Sequence, residues 1–350
     1  MKIAYVIPSN NDSEDGVLKK IAGQMRIWLQ EGHEAKLFVL SRRQKVWDGI
    51  VELTEAIIFS PRQRYDVFRF GKLVQCVKQW QPDIVYIRSM IYLPFVHNLL
   101  LSLPVVVEVN TKEVSEMKLR SKFWALYWNM TRGLILRRAR GIVTVTNEIA
   151  QELEIFKRPT VVIANGIDIQ ACPELPPANN LNPRLIFIGS PNQSWHGIDK
   201  FVWLARHFTK WHFDIVGGHK LDVTLPNLTI HPMLKKNEYM KIMESADIAL
   251  GTMALHRNEM EEASTLKVRE YLACGIPTII GYRDTDFPQP VPFILQLPNT
   301  ADNLQAHLNL IEKFVLQWKG RRCSRQQILH LDNSLKEKQR LHFFEKVMGR

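Results

Sequence analysis

The feature that most restricts the fold of this chain is an alternation of short apolar runs of strand length with stretches of helical period. Strand-like runs fall at residues 3–7, 35–40, 83–87, 105–109, 141–145 and 160–163. Between 17 and 30, Leu18, Ile21, Ala22, Met25, Trp28 and Leu29 share one face at the 3.6-residue period, and Gly32 ends the helix. Strands and helices in alternation predict a doubly wound parallel sheet. The pattern pauses over residues 169–183, IQACPELPPANNLNP, whose four prolines and lack of period predict a linker. It then resumes with RLIFIG, FDIVGG, ADIALG and FILQLP. A chain of 350 residues exceeds one comfortable core. The expectation is a first domain over 1–168, a second over 184–330, and a charged helix over 331–350 with Leu335, Leu341, Phe344 and Val347 as its apolar stripe.

Residues 259–281, EMEEASTLKVREYLACGIPTIIG, hold the strongest local signal. They predict a polar approach at Glu261 and Glu262, a cap at Ser264 or Thr265, and a short helix that turns Leu266, Tyr271 and Leu272 inward. Gly275 and Pro277 stop the helix, and a buried strand follows at Thr278, Ile279 and Ile280. The first turn of such a helix has unpaired N–H groups and a positive dipole end, and Lys267 adds a full charge, so an anion suits it. Glu262 and Glu270 flank that point, spaced by roughly 12 Å at the helical rise. Carboxylates only accept hydrogen bonds, so they suit sugar or ribose hydroxyls and repel phosphate. Taken alone, the pair also fits a solvated helix start.

With seven residues between Glu262 and Glu270, followed by EYLACGIPTI, this stretch resembles the donor-binding signature of the retaining glycosyltransferases of family 4. The resemblance implies a GT-B fold, two Rossmann-like doubly wound domains facing across a cleft. It puts the transferred sugar on Glu262 and the ribose of a nucleotide diphosphate sugar on Glu270; the helix start at Ser264, Thr265, Leu266 and Lys267, read above as an anion site, then suits the diphosphate. Asn165, Gly166, Ile167 and Asp168 resemble the turn at the domain crossover, although Asn and Gly serve any turn after a strand.

Departures from the family pattern are specific. Paired glycines near the donor are matched only by Gly16, in the loop PSNNDSEDGV, which is no G-x-G-x-x-G fingerprint and gives no support to a dinucleotide cofactor. A histidine after the strand Val105–Val109 is replaced by Asn110, which can hydrogen-bond a sugar hydroxyl or simply serve a turn, with Glu108 or Glu113 as substitutes. After Gly189, Ser190 stands where the family has an arginine, and His196 where it has a lysine. A neutral histidine supplies less charge than lysine, so positive charge must come from Lys267, the helix start, or His196 protonated by bound phosphate. His196 is otherwise a plain loop residue. His256 and Arg257, in the loop before Glu261, are further candidates.

Composition narrows the partners. Hydrophobic residues at 46% and charged residues at 23% describe an ordinary globular protein. Four dispersed cysteines form no zinc or disulfide pattern, and residues 1–16 lack the apolar core of a signal peptide, so a cytoplasmic location is expected. Residues 89–107 are uncharged but interrupted by Pro94 and Pro104, which predicts a buried helix and strand, not a membrane span. No metal is expected: Asp284 and Asp286, in RDTDF, read as a solvated turn. The net charge of +11 suits phosphate-bearing substrates or an anionic membrane face, and no nucleic-acid motif accompanies it. Residues 120–141 mix Phe123, Trp124, Tyr127 and Trp128 with Arg132, Arg137, Arg138 and Arg140. They fit either an interfacial helix lying on the inner face of the cell membrane or a buried helix with cations at its end.

The reading expected from the sequence is transfer of a sugar, with retention and without a metal or other cofactor, from a nucleotide diphosphate sugar to a glycan or lipid-linked acceptor in cell-surface polysaccharide synthesis. The alternatives are a nucleotide-sugar epimerase on the same architecture and a noncatalytic carbohydrate- or membrane-binding scaffold.

Overall fold

The computed structural model describes residues 1–9, 16–41, 45–59, 68–119 and 121–349. Of the polar loop before the first helix, expected to approach a ligand, residues 10–15 lie outside this range, as does Arg120. The chain forms two compact units: Met1–Gly166 together with the stretch from Asn333 onward, and Ile167–Asp332.

The first unit holds seven parallel strands: β1 (Lys2–Pro8), β2 (Glu34–Leu40), β3 (Ala56–Phe59), β4 (Ile84–Arg88), β5 (Val105–Val109), β6 (Gly141–Thr144) and β7 (Thr160–Val162). Their order is β3-β2-β1-β4-β5-β6-β7, reversing direction at β1 as a doubly wound sheet does. Ile3, Ala4, Tyr5 and Val6 are all buried, because helices cover both sheet faces and a central parallel strand has no polar side. The helix Gly16–Gln30 buries Leu18, Ile21, Ala22, Met25 and Trp28, the face expected from its period.

The helix Asn333–Met348 completes this unit. Glu337 accepts from Trp28 Nε1 and from Arg340 Nε, each at 2.9 Å, and Arg340 donates to the Tyr86 hydroxyl. Phe344 packs on Trp28 and Tyr86 with ring centroids 6.0 and 5.2 Å away. Phe343 lies so near Gly141 that a Cβ there would meet its ring at 2.7 Å. Leu335, expected in the apolar stripe, is exposed, whereas its neighbours Lys336 and Glu337, and further along Phe343, are buried.

The helix Lys122–Leu136 is not the buried helix of the second sequence reading. Ala125, Ile135 and Leu136 face inward, whereas Phe123, Leu126, Met130 and Leu134, spaced three and four residues apart, are exposed at 69%, 60%, 73% and 40%. Trp124 flanks this stripe, and Arg137, Arg138 and Arg140 are exposed just beyond it. No helix among the described residues is long and apolar enough to cross a membrane.

In the second unit, β8 (Arg184–Ile188), β9 (His212–Val216), β10 (Leu228–His231), β11 (Ile248–Leu250), β13 (Thr278–Ile280) and β15 (Ile294–Gln296) form a parallel sheet in the order β10-β9-β8-β11-β13-β15. A separate parallel pair joins β12 (Glu262–Ala263) to β14 (Arg283–Asp284). Residues 169–183, expected as the linker, are packed on this unit. Ile169 and Cys172 are buried, and Asn180 Nδ2 donates to Asp247 Oδ2 at 2.8 Å.

Replacing Glu337 with alanine leaves the buried Arg340 guanidinium and the Trp28 N–H without their shared acceptor. Glu337→Ala is expected to cost about 3 kcal/mol, read as a lower midpoint for the first unit's transition in urea unfolding.

Candidate active site

Six of the residues singled out by sequence meet at the carboxyl ends of β8 and β11 in the second unit or on the helix Leu266–Ala273 beside them: Gly189, Ser190, His196, Thr265, Lys267 and Glu270. The backbone leaves β8 through Gly189, whose N–H donates to Val216 O at 3.0 Å and whose carbonyl is met by His219 Nε2 at 2.8 Å. Close packing demands glycine at two places here. A Cβ on Gly217, whose φ is +135°, would sit 1.9 Å from the Gly189 carbonyl oxygen. A Cβ on Gly189 would lie 2.7 Å from Lys267 Nζ and 3.0 Å from the His196 ring.

Lys267 thus points at the Gly189 backbone. Its ammonium lies 4.0 Å from the centre of the Phe187 ring, a cation–π contact, and is shielded from water with no hydrogen-bond partner. Burial draws its pKa well below the usual lysine range. His196 ends a single turn, Ser194–His196, that Met253 N and Ala254 N tie to the end of β11 by donating to the carbonyls of His196 and Trp195 at 3.1 Å. Its ring is hydrogen-bonded to the backbone of Ser190, but its Nδ1 is buried without a partner. Burial, reinforced by Lys267 and His219, pulls its pKa down to about 2. The unpartnered ammonium of Lys267 against the Gly189 backbone suits an anion.

Thr265 is the cap residue of the helix Leu266–Ala273, yet its hydroxyl bonds Tyr282 Oη at 2.8 Å and makes no cap hydrogen bond; the Ser264 hydroxyl accepts from Arg269 Nη2 at 2.9 Å. Leu266, expected to point inward, is only partly buried there; Val268, Arg269, Tyr271 and Leu272 form the buried side. The Tyr271 hydroxyl accepts from Ile188 N at 2.7 Å and pins this helix to the end of β8. Glu270 is half-buried and accepts from the Tyr239 hydroxyl at 2.9 Å, which fixes its carboxylate. Glu262 is buried on β12 in extended backbone, so the helical rise used to space it from Glu270 does not apply over residues 262–265.

Arg269 was not legible as a site residue, and Asp284 and Asp286 were expected in a solvated turn. Instead Arg269 forms a fully buried fork with Asp284, Nη1 to Oδ2 and Nη2 to Oδ1 at 2.7 Å each, and Nη2 reaches Asp286 at 3.0 Å. The two aspartates are held because β12 and β14 pair beside the helix start. His256 and Arg257 are occupied structurally: His256 N donates to Asn299 Oδ1, and Arg257 forms an exposed fork with Asp199.

Gly16 and Asn110 belong to the first unit. Gly16 opens the helix Gly16–Gln30. Asn110 follows β5 and accepts from Lys20 Nζ at 2.8 Å through Oδ1. Lysine only donates, so the amide nitrogen of Asn110 is left for an acceptor oxygen. Glu108 is not a substitute for the absent histidine. It is fully buried and bound by Lys20 at 2.7 Å and Tyr5 at 3.0 Å; burial alone would raise its pKa, but Lys20, Arg340 and Arg88 hold it below the usual carboxylate range. Glu113 is also buried, accepting from Trp128 Nε1 at 3.0 Å, and burial pushes its pKa up to about 7.

Known structures share this architecture. The chain is similar to sucrose-phosphate synthase from Thermosynechococcus elongatus, with a TM-score of 0.70 at 12% identity over 99% of each chain. It is similar to the lipopolysaccharide outer core galactosyltransferase WaaB in its apo form, at 0.68 and 14% over 99% of this chain and 100% of that one. It is likewise similar to Anabaena Alr3699/HepE in complex with UDP and glucose, at 0.68 and 13% with the same coverages. At such identities the likeness is one of fold, and that fold is GT-B, with two parallel-sheet α/β domains. Residues 25–171 match the family model of Glycosyltransferase Family 4. No curated protein is significantly similar in sequence.

Arg269→Met leaves Asp284 buried and uncompensated, and is expected to cost about 3 kcal/mol. Thermal unfolding of the purified variant checks this. Glu270→Ala, which breaks only a half-buried hydroxyl–carboxylate bond, is expected to stay within about 1 kcal/mol of the parent.

Proposed function

We propose that this enzyme transfers a hexose from a nucleoside diphosphate sugar to a hydroxyl of a glycan or lipid-linked acceptor, with retention, in the assembly of a cell-surface polysaccharide. The observation that carries the reading is the unpartnered, buried ammonium of Lys267 beside Gly189, at the start of the helix Leu266–Ala273. A diphosphate supplies the acceptor atoms that this group lacks. Charge on the departing diphosphate is then stabilised by Lys267, the first-turn N–H groups and His196, so the reading assigns no step to a metal. Glu270, held by Tyr239, receives the ribose hydroxyls; Glu262 receives hydroxyls of the transferred sugar. Asn110, oriented by Lys20, offers its amide nitrogen to a sugar oxygen. No protein nucleophile is needed: lowering the barrier rests on leaving-group stabilisation and on orienting the acceptor hydroxyl.

The exposed Phe123, Leu126, Met130 and Leu134 stripe, with arginines at its end, supports docking at an anionic membrane surface on the cytoplasmic side. A lipid-linked acceptor is most naturally met there.

UDP is the first nucleotide to try, since the HepE structure holds it. Lys267→Ala and Glu270→Ala are each expected to weaken UDP-glucose binding about 10- to 100-fold by calorimetry; unchanged affinity in both would refute the assignment. With donor alone the sugar should emerge unaltered. Epimerised sugar would establish an isomerase instead, and absence of binding by any nucleotide sugar would leave a scaffold. Turnover with acceptor should survive EDTA, and proton NMR of the product should show the donor's anomeric configuration.

For the membrane surface, the protein should co-sediment with vesicles containing phosphatidylglycerol at low salt and less so at high salt. Phe123→Ser with Met130→Ser should abolish this while leaving UDP-glucose binding intact.

A further inference from the structure

Two basic groups converge on Gly189, and neither has an acidic companion. Nζ of Lys267 and Nδ1 of His196 are both buried and unpartnered. Phe187 fills the space beside them, its ring 4.0 Å from the ammonium and 5.2 Å from the imidazole. The ionisable groups that act on His196 are Lys267, from the helix Leu266–Ala273, and His219, from the loop after β9; both are bases. His219 is itself engaged by the Gly189 carbonyl. The Arg257–Asp199 pair, which reaches Ser194 of the same turn, is closed upon itself. A charge on His196 would therefore be buried with only like charges for neighbours, and the neutral imidazole prevails.

A diphosphate entering this pocket inverts the sign of the field. An anion within a few ångströms favours the protonated form of both bases and so opposes the burial that disfavours it. Nδ1 of a neutral ring hydrogen-bonded through its other nitrogen can only accept, and it would repel a phosphate oxygen; the same nitrogen becomes a donor once protonated.

We infer that this glycosyltransferase binds its diphosphate donor together with protons taken from solvent, His196 becoming the second cation beside Lys267 when the phosphates arrive. The inference rests on the donor reading above and deepens it: the site's charge is assembled by the substrate rather than built in. Its sign follows from linkage. The pKa is low in the free protein and raised in the complex, so protons are taken up between the two values, and affinity falls as pH rises through that window.

The test is calorimetric titration of the full chain with UDP-glucose in Pipes, Hepes and Tris at equal ionic strength. These buffers differ in ionisation enthalpy, and the diphosphate diester of UDP-glucose has no proton to lose near neutrality. The expected result is a buffer-dependent enthalpy corresponding to uptake of up to about one proton per donor, with affinity dropping several-fold between pH 6.5 and pH 8.5. In His196→Gln both the uptake and the pH dependence should shrink. Should that variant fail to fold, nitrogen NMR of histidine-labelled parent protein serves instead, with one ring passing from neutral to imidazolium as UDP-glucose is added. Binding with buffer-independent enthalpy and flat pH dependence overturns the inference while leaving the donor site standing. Uptake that persists undiminished in His196→Gln overturns the assignment to His196. If UDP-glucose, ADP-glucose and GDP-mannose all fail to bind, the donor reading falls and takes this inference with it.

Discussion

Everything distinctive about the second unit turns on one unfavourable arrangement, an ammonium group held out of water with only an aromatic ring for company. Such a state survives only where the surrounding structure is strong enough to impose it. Here the helix carrying Lys267 is anchored on both sides. The Arg269 fork onto Asp284 ties its first turns to β14, and the Tyr271 hydroxyl ties it to the end of β8. Those anchors hold the helix in place, and Gly189 gives Lys267 a backbone wall instead of a side chain. The stability of one ion pair thereby maintains the discomfort of a neighbouring charge.

The first unit handles buried charge differently. Glu108 has cations on every hand: Lys20 in direct contact, Arg88 at 3.7 Å and Arg340 at 4.0 Å. Arg340 in turn shares Glu337 with Trp28. Here each cation has a carboxylate close by, which Lys267 does not, and the visible consequence is orientation. Lys20 bridges Glu108 to Asn110 and so decides which end of that amide is offered outward.

The periodic part of the architecture was legible from the sequence because it is local. Central parallel strands announce themselves as uncharged runs, and the helix Gly16–Gln30 buries the residues that its spacing selects. The cluster of Gly189, His196, Lys267 and Glu270 was legible through a family signature combined with elementary helix electrostatics. What escaped was pairing at a distance. Arg269 and Asp284 look like surface charges in a polar stretch, and only the β12–β14 bridge brings them together. The proline-rich segment 169–183 has no period, which conveys absence of secondary structure but not absence of packing; Cys172 and Asn180 are fully engaged. Glu262 was misplaced along a helix axis because a cap marks where a helix begins without saying that a strand precedes it.

The return of residues 333–348 to the first unit has a bearing on how the chain assembles. The second unit is continuous in sequence, whereas the first lacks Glu337, Arg340 and Phe344 until these residues have left the ribosome. Trp28 and Tyr86 must therefore wait uncovered while the later-encoded unit is already free to close. Synthesis order and completion order are opposed, and the amino-terminal half stays the more vulnerable partner for chaperones and proteases to encounter throughout translation.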